Sequence, residues 1–228
     1  MLNNNLFDND LYNKNDISLF NEKKILANII SNGISLEKSN HIVEKLYYKF
    51  QNLYNILNAS NEELLKIKGI NLKKIELIKS IPVFLEYYLL SSIKVSTTHF
   101  NKKDLINYLI VKLGKLKFET FSLICLDFNK RFISIEQIFR GTIDSATIYP
   151  RDLVEKSLSL GASNIIICHN HPSGIAKPSK SDIEITKILY NAFLIVGVNM
   201  LDHLIVAKNS VYSFRENDIF KKYKMIQQ

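Results

Sequence analysis

Two histidines separated by one residue follow an apolar run, in a stretch that reads NIIICHNHPSG. In an extended segment, residues two apart point to the same side, and Pro172 biases His171 away from the helical region. We therefore expect the His169 and His171 imidazoles to face one cavity, with Cys168 and Asn170 turned the other way. Two such histidines at the end of a strand are a natural pair of metal ligands.

A serine and an aspartate follow at Ser179 and Asp182, one helical turn apart. By itself this spacing is typical of a helix N-cap, and many helices begin this way without a metal. Combined with the histidines, it brings an oxygen ligand at a helix start to face two nitrogen ligands. The pattern predicts a metal site at His169, His171 and Asp182 that leaves one position open, as catalytic zinc sites do.

The surrounding residues predict an α/β domain. Strands are expected at about 119–127 and 131–139, and in the runs NIIICH, MLDHLIVAK and VYSF. Helices are expected in YPRDLVEKSLSLGA and in SKSDIEITKILYNAFLIVG, the second with Ile183, Ile185 and Ile188 facing inward. Strands that alternate with helices in this way predict a mixed sheet.

The N-terminal part of the chain has a different composition and periodicity. Residues 1–20 are rich in Asn and Asp and predict a disordered tail, whereas residues 21–95 show helical periodicity. Ser60 and Glu63 have the spacing of a capping box, which predicts a helix start. A second helix is expected after a tight turn and is predicted to run until Pro82 interrupts it.

The stretch that contains this turn, LLKIKGINLKKIELIKS, resembles a helix-hairpin-helix module, in which backbone amides of the turn grip a nucleic-acid phosphate. DNA is therefore a candidate partner, with Lys68, Gly69 and Lys73 as candidate contacts. Asn71 stands where the module usually has a second glycine. Asparagine tolerates a left-handed backbone, although its side chain would crowd a close phosphate. A plain helical hairpin used for packing is the alternative.

Composition gives weaker indications. The net charge of +8 comes from lysines scattered along the chain, which favours a solvated surface of mixed charge over a nucleic-acid-binding patch. The N-terminal residues lack the pattern of a secretory signal and no apolar run is long enough to cross a bilayer, so we expect a cytoplasmic protein without a membrane partner. Cys125 and Cys168 lie in apolar runs and are expected to be buried, reduced thiols.

The spacing His-x-His-x7-Ser-xx-Asp is similar to the JAMM, or MPN+, metalloprotease motif. Other stretches resemble the bacterial RadC family closely, and they read FRGTIDSATIYPRDLV, HNHPSG and LDHLIVA. The resemblance extends over nearly the whole chain and is least close around the turn at residues 68–71. It implies a JAMM/MPN-like metal-binding domain at 101–224, preceded by a helix-hairpin-helix region.

The resemblance also implies a reaction. The JAMM motif requires an upstream glutamate at the entry to an early strand, where Glu119 stands, with Glu136 as its rival. A zinc ion, held by the two histidines and Asp182, would activate water for attack on an amide of a protein or peptide. Glu119 would serve as the general base, and Ser179 would donate a hydrogen bond to the oxyanion.

Two other functions remain open at this point. One is a DNA-associated module whose metal site is structural or recruits a partner. The other is a metal-dependent nuclease, which is disfavoured because two-metal sites need more clustered carboxylates than this loop supplies. His203, in LDHLIVA, could support one of the metal ligands, but an ordinary strand histidine is the favoured interpretation.

Overall fold

The computed structural model describes residues 19–95, 101–141 and 148–220. Residues 1–18 of the predicted tail at 1–20 lie outside the described residues. So do residues 221–224, the last four of the predicted domain at 101–224. The chain divides into two compact units, Met1–Phe84 and Leu85–Gln228. Among the helices within the described ranges, none has the length and apolar character needed to cross a bilayer.

The N-terminal unit is built from helices, whose bounds are α1 Leu19–Ile30, α2 Leu36–Phe50, α3 Leu53–Asn58 and α4 Asn61–Leu65. It also includes the first part of α5, a helix that spans Leu72–Val95. Its core is apolar, with Ile42 and Leu46 of α2 buried among residues of the other helices. The predicted capping box is confirmed, because the Ser60 hydroxyl accepts a hydrogen bond from the Glu63 amide while the Glu63 carboxylate accepts one from the Ser60 amide.

A tight turn joins α4 to α5. Gly69 has a φ of +103°, and a Cβ at this position would lie 2.8 Å from Cδ1 of Ile42. Asn71 caps α5, since its side-chain oxygen accepts a hydrogen bond from the Lys74 amide at 3.0 Å. The turn therefore depends on a single glycine, with the asparagine serving as a helix cap.

The prediction that the second helix stops at Pro82 is wrong, because α5 continues through this residue to Val95. A proline inside a helix removes one main-chain hydrogen bond and favours a bend. The helix tolerates this loss because it is anchored by packing on both sides of the proline. Ile78 is buried in the N-terminal core, and Ile93 is buried in a core of the C-terminal unit.

The C-terminal unit has a five-stranded sheet in the order β2-β1-β3-β4-β5. Its elements are α6 Lys102–Leu113, β1 Thr120–Leu126, β2 Phe132–Arg140, α7 Pro150–Ser159, β3 Asn164–Asn170, α8 Lys180–Ile195, β4 Asn199–Ala207 and β5 Ser210–Ser213. β3 and β4 pair in parallel and the other pairs are antiparallel. The predicted mixed-sheet α/β class is confirmed.

Both faces of the sheet are covered. Residues of α7 and α8 pack on one face, where they meet Phe121, Leu123 and Cys125, and α6 packs on the other, where it meets Cys168. Both cysteines are free and buried, as predicted, and burial raises the pKa of Cys125 to about 11 and that of Cys168 to about 12.

The inward face of α8 differs from the prediction. Ile185 is buried as expected, but Ile183 and Ile188 are 41% and 43% exposed. The buried face instead includes the polar residues Asp182 and Thr186. The reason is that α8 turns its polar residues toward partners on the sheet, which apolar periodicity does not register.

The glycine turn leads to a stability prediction with a built-in control. Gly69→Ala combines an unfavourable positive φ with a Cβ that meets Ile42, whereas Gly33 has a φ of +76° and nothing within 4 Å of an added Cβ. We expect Gly33→Ala to cost about 1 kcal/mol of unfolding free energy, and Gly69→Ala a further ~1–3 kcal/mol for overpacking. Urea unfolding of the full chain, followed by circular dichroism, measures both. Equal losses of unfolding free energy in the two variants would show that the Ile42 side chain moves aside for the new Cβ at no cost.

Candidate metal centre

The central strand β3 places the first histidine. β3 is paired with β1 on one side and β4 on the other, and His169 lies opposite Phe121 and Ile205. Its ring is 1% exposed and stacks on Phe121, with the centroids 6.0 Å apart. Cys168 belongs to the apolar core on the opposite face. The predicted alternation of side chains at the end of this strand is therefore confirmed.

The second histidine lies just past the end of β3. The His171 amide donates to the Val206 carbonyl at 2.8 Å, so the pairing with β4 continues to this residue. The His171 Nδ1 is 3.0 Å from the Ile175 carbonyl, to which it must donate because a carbonyl only accepts. The Nε2 atoms of His169 and His171 are 3.0 Å apart. The two imidazoles thus face one point, as the sequence predicted.

The start of α8 supplies a carboxylate to the same point. Asp182 is 4% exposed, with Oδ1 3.1 Å from His169 Nε2 and Oδ2 3.3 Å from His171 Nε2. The same residue completes a capping box with Ser179, whose amide and hydroxyl each donate to Asp182 Oδ2 at 2.7 Å. Asp182 therefore caps α8 and also faces the two histidines, so the helix-cap interpretation of Ser-x-x-Asp is compatible with the ligand interpretation.

The close contacts within this cluster shift the pKa values of its members. Burial raises the pKa of Asp182, but hydrogen bonding to the two histidines and Ser179 outweighs burial and holds the pKa well below its usual range. Hydrogen bonding to Asp182 is the largest effect on His171 and raises its pKa, and the charge of Glu119 adds to the rise. Within the described residues, His169, His171 and Asp182 form a group able to hold a metal ion.

The donor set fits zinc chemistry. Two imidazole nitrogens and a carboxylate oxygen are ligands that zinc accepts in open, catalytic sites. The 3.0 Å between the two Nε2 atoms is close to the roughly 3.3 Å that separates two nitrogen ligands on one tetrahedral zinc ion. The three ligands can therefore bind a single ion with little rearrangement.

His203 contacts this cluster, so the favoured interpretation of it as an ordinary strand histidine is wrong and the alternative of a supporting group is the better one. It is fully buried, its Nε2 lies 2.8 Å from His169 Nδ1, and its Nδ1 lies 2.7 Å from the Thr186 hydroxyl. Burial lowers the pKa of His203 well below its ordinary value, and the neighbouring His169 adds to this effect. The signal was available, because a histidine in an otherwise apolar strand requires polar partners when it is buried.

The two candidate glutamates have different surroundings. Glu119 immediately precedes β1, two residues before Phe121, the strand partner of His169, and its charge acts on His171. Glu136 lies on β2, where its carboxylate is 3.2 Å from the ammonium of Lys156. The structure therefore groups Glu119 with the histidines and Glu136 with α7.

Asn170, the residue between the two histidines, holds the segment that contains Glu119. Its side-chain oxygen accepts a hydrogen bond from the Thr120 amide at 2.8 Å, and its amide nitrogen donates to the Phe118 carbonyl at 3.0 Å. The two bonds bracket Glu119 on both sides. The strand that carries the two histidines therefore also fixes the backbone of Glu119.

The remaining predicted site residues, Lys68, Gly69 and Lys73, lie in the N-terminal unit, around the turn between α4 and α5. Lys68 and Lys73 are exposed, whereas the neighbouring Lys74 is buried.

Comparison with known proteins agrees with this geometry. Residues 100–219 match the family model of the RadC-like JAB domain. A UPF0758 protein of Shewanella frigidimarina is 32% identical over 195 residues, which cover 86% of this chain and 87% of the relative. A UPF0758 protein of Shewanella oneidensis is 32% identical over 199 residues, which cover 87% and 88%. The chain, with its two histidines and aspartate at the junction of β3 and α8, belongs to the RadC family.

Proposed function

We propose that this protein is a zinc-dependent hydrolase of the JAMM type that cleaves a peptide or isopeptide bond. The observation that carries the proposal is the convergence of His169 Nε2, His171 Nε2 and the Asp182 carboxylate, at 3.0–3.3 Å from one another. These three residues would hold the ion, and the mixed nitrogen and oxygen ligands favour zinc. When bound, zinc supplies Lewis-acid chemistry, which lowers the pKa of a water to about 7 and polarises a carbonyl.

Glu119 is proposed to move the proton. Its carboxylate accepts a proton from the attacking water and delivers it to the amine nitrogen that leaves when the amide breaks. Support comes from its position ahead of β1, its electrostatic effect on His171, and the two hydrogen bonds by which Asn170 fixes the adjacent backbone. Glu136 is less suited to this role because its carboxylate pairs with Lys156.

Ser179 is proposed to have two tasks. Its hydroxyl proton is donated to Asp182 Oδ2 at 2.7 Å, which orients the carboxylate. A hydroxyl has one proton to give, so stabilising an oxyanion requires the Ser179 side chain to rotate away from Asp182. We propose that it does so once the carboxylate is engaged by the metal, and that it then donates to the oxygen that develops negative charge.

The metal assignment is tested by elemental analysis. We expect about one zinc per chain after reconstitution, and loss of that zinc in His169→Ala and Asp182→Ala, because each removes a buried ligand. Glu136→Gln is the matched control and should keep its zinc, since its carboxylate contacts Lys156. A wild-type protein that binds no zinc, or a His169→Ala protein that binds as much as the wild type, would contradict the assignment.

The role of Glu119 is tested by a pair of isosteric variants. Glu119→Gln keeps the shape and hydrogen bonding of the side chain but removes its ability to accept a proton. Hydrolysis of a diverse peptide pool, followed by mass spectrometry, should fall by about 10²-fold or more while zinc content stays unchanged. Glu136→Gln should leave both properties near the wild type. Loss of hydrolysis in Glu136→Gln alone would transfer the role to that residue.

We further propose that the N-terminal unit contacts DNA. The observation that favours this function is the exposure of Lys66, Lys68 and Lys73 around the glycine turn that begins α5. Backbone amides at a helix start, together with nearby lysines, favour phosphate without reading base sequence. The metal site would then have a structural or partner-recruiting role if no hydrolysis is found.

The DNA proposal predicts weak binding without sequence preference that declines steeply with salt. Lys68→Glu combined with Lys73→Glu should reduce the affinity for duplex DNA by about tenfold or more, since two phosphate contacts become repulsive. Lys24→Glu with Lys187→Glu makes the same charge change at exposed lysines on α1 and α8 and should have a smaller effect. Equal effects of the two pairs, measured by fluorescence anisotropy, would indicate net charge alone.

A further inference from the structure

A chain of hydrogen bonds runs from α8 through β4 to the first metal ligand. The Thr186 hydroxyl contacts the main-chain oxygen of Asp182 and the Nδ1 of His203, and the other His203 nitrogen contacts Nδ1 of His169. Asp182 is also the residue whose carboxylate faces His169 Nε2. The contacts therefore close a ring, which begins and ends at Asp182.

The geometry points to His203 and Thr186 as positioning residues: they fix the tautomer of His169 so that its Nε2 offers a lone pair to the metal. This inference rests on the proposed function for its purpose, because the metal is what uses the lone pair. The tautomer itself is a property of the chain and can be measured without any metal.

The direction of each hydrogen bond in this series follows from its last acceptor, the main-chain oxygen of Asp182. A main-chain carbonyl can only accept, so the single proton of the Thr186 hydroxyl must lie between its oxygen and that of Asp182. The Thr186 oxygen can then only accept from His203, which places a proton on His203 Nδ1 at 2.7 Å. His203 Nε2, left with a lone pair, accepts at 2.8 Å from a proton on His169 Nδ1. His169 Nδ1 is therefore protonated, so in the neutral ring Nε2 is the nitrogen with the lone pair. When both nitrogens are protonated, Nε2 donates to Asp182 Oδ1 at 3.1 Å.

The surroundings of His203 keep this arrangement in place. The ring is fully buried and stacks on Phe214, with an edge contact to Phe121. Its own amide donates to the Asp202 carboxylate at 2.8 Å, which anchors the strand at this point. A turn of the His203 ring that exchanged its two nitrogens would therefore have to displace Phe214 or Phe121.

Both histidines that are proposed to bind the metal donate a hydrogen bond from Nδ1, but to different acceptors. His171 donates its Nδ1 proton directly to the Ile175 carbonyl, outside the sheet. His169 sits within the sheet, where main-chain carbonyls are engaged in the strand pairing, so it reaches a carbonyl through His203 and Thr186. Outer partners of this kind typically account for a 10–100-fold effect on metal affinity.

Two variants of Thr186 test the relay, by which we mean the hydrogen bonds that run from Thr186 through His203 to His169. Thr186→Val keeps the shape and removes the hydroxyl, whereas Thr186→Ser keeps the hydroxyl and serves as the matched control. In metal-free wild type at alkaline pH, nitrogen-15 spectra of labelled histidines should show His169 protonated at Nδ1. Thr186→Val should show a mixture of tautomers and about tenfold or greater loss of zinc affinity in a chelator competition. Thr186→Ser should match the wild type in both.

The outcomes separate this inference from the proposed function. A neutral wild-type His169 ring that is protonated at Nε2 and not at Nδ1, or a Thr186→Val protein with unchanged tautomer and affinity, would overturn the relay. If the tautomer and affinity change as expected while no amide is hydrolysed, the relay stands and the peptidase proposal fails. If the wild type binds no zinc, the metal proposal fails, and the tautomers of wild type and Thr186→Val alone decide the relay.

Discussion

The C-terminal unit brings two imidazoles and a carboxylate together at a largely buried point. The Nε2 atoms of His169 and His171 and the Asp182 carboxylate lie within 3.0–3.3 Å of one another. Such groups would separate if they were carried by mobile loops. Here they are carried by the end of a central strand and the start of a helix, both of which are fixed by main-chain hydrogen bonds. The fold therefore holds the three groups in an arrangement that is able to hold a metal ion.

The strand that carries His203 is anchored by a second buried carboxylate. Asp202 accepts hydrogen bonds from Lys102 at 2.9 Å, from the Ser213 hydroxyl at 2.6 Å, and from the amides of His203 and Arg215 at 2.8 and 3.0 Å. These donors come from α6, β4, β5 and the segment after β5. A buried carboxylate is stable only when its oxygens are satisfied in this way. Asp202 thereby ties β4 in place, and β4 in turn carries His203.

The sequence predicted the parts of the site that depend on local geometry. His169 and His171 share a side because strands alternate, and Asp182 faces them because it begins a helix. The sequence did not predict features that depend on distant partners. The inward orientation of Thr186 and the burial of His203 make sense only once the two are seen in contact. The continuation of α5 through Pro82 likewise depends on packing at both of its ends, which no local rule contains.

The order of the strands explains why one glutamate suits the chemistry better than the other. β1 lies directly beside the histidine-bearing β3, whereas β2 is one strand further away, and each step across a sheet is about 4.8 Å. Glu119 enters β1 at the end nearest the histidines, and Asn170 reaches across from β3 to hold the backbone on both sides of it. The asparagine between two histidines therefore has a purpose of its own. While His169 and His171 turn toward the candidate metal site, Asn170 holds the backbone next to the glutamate that is proposed to move the proton.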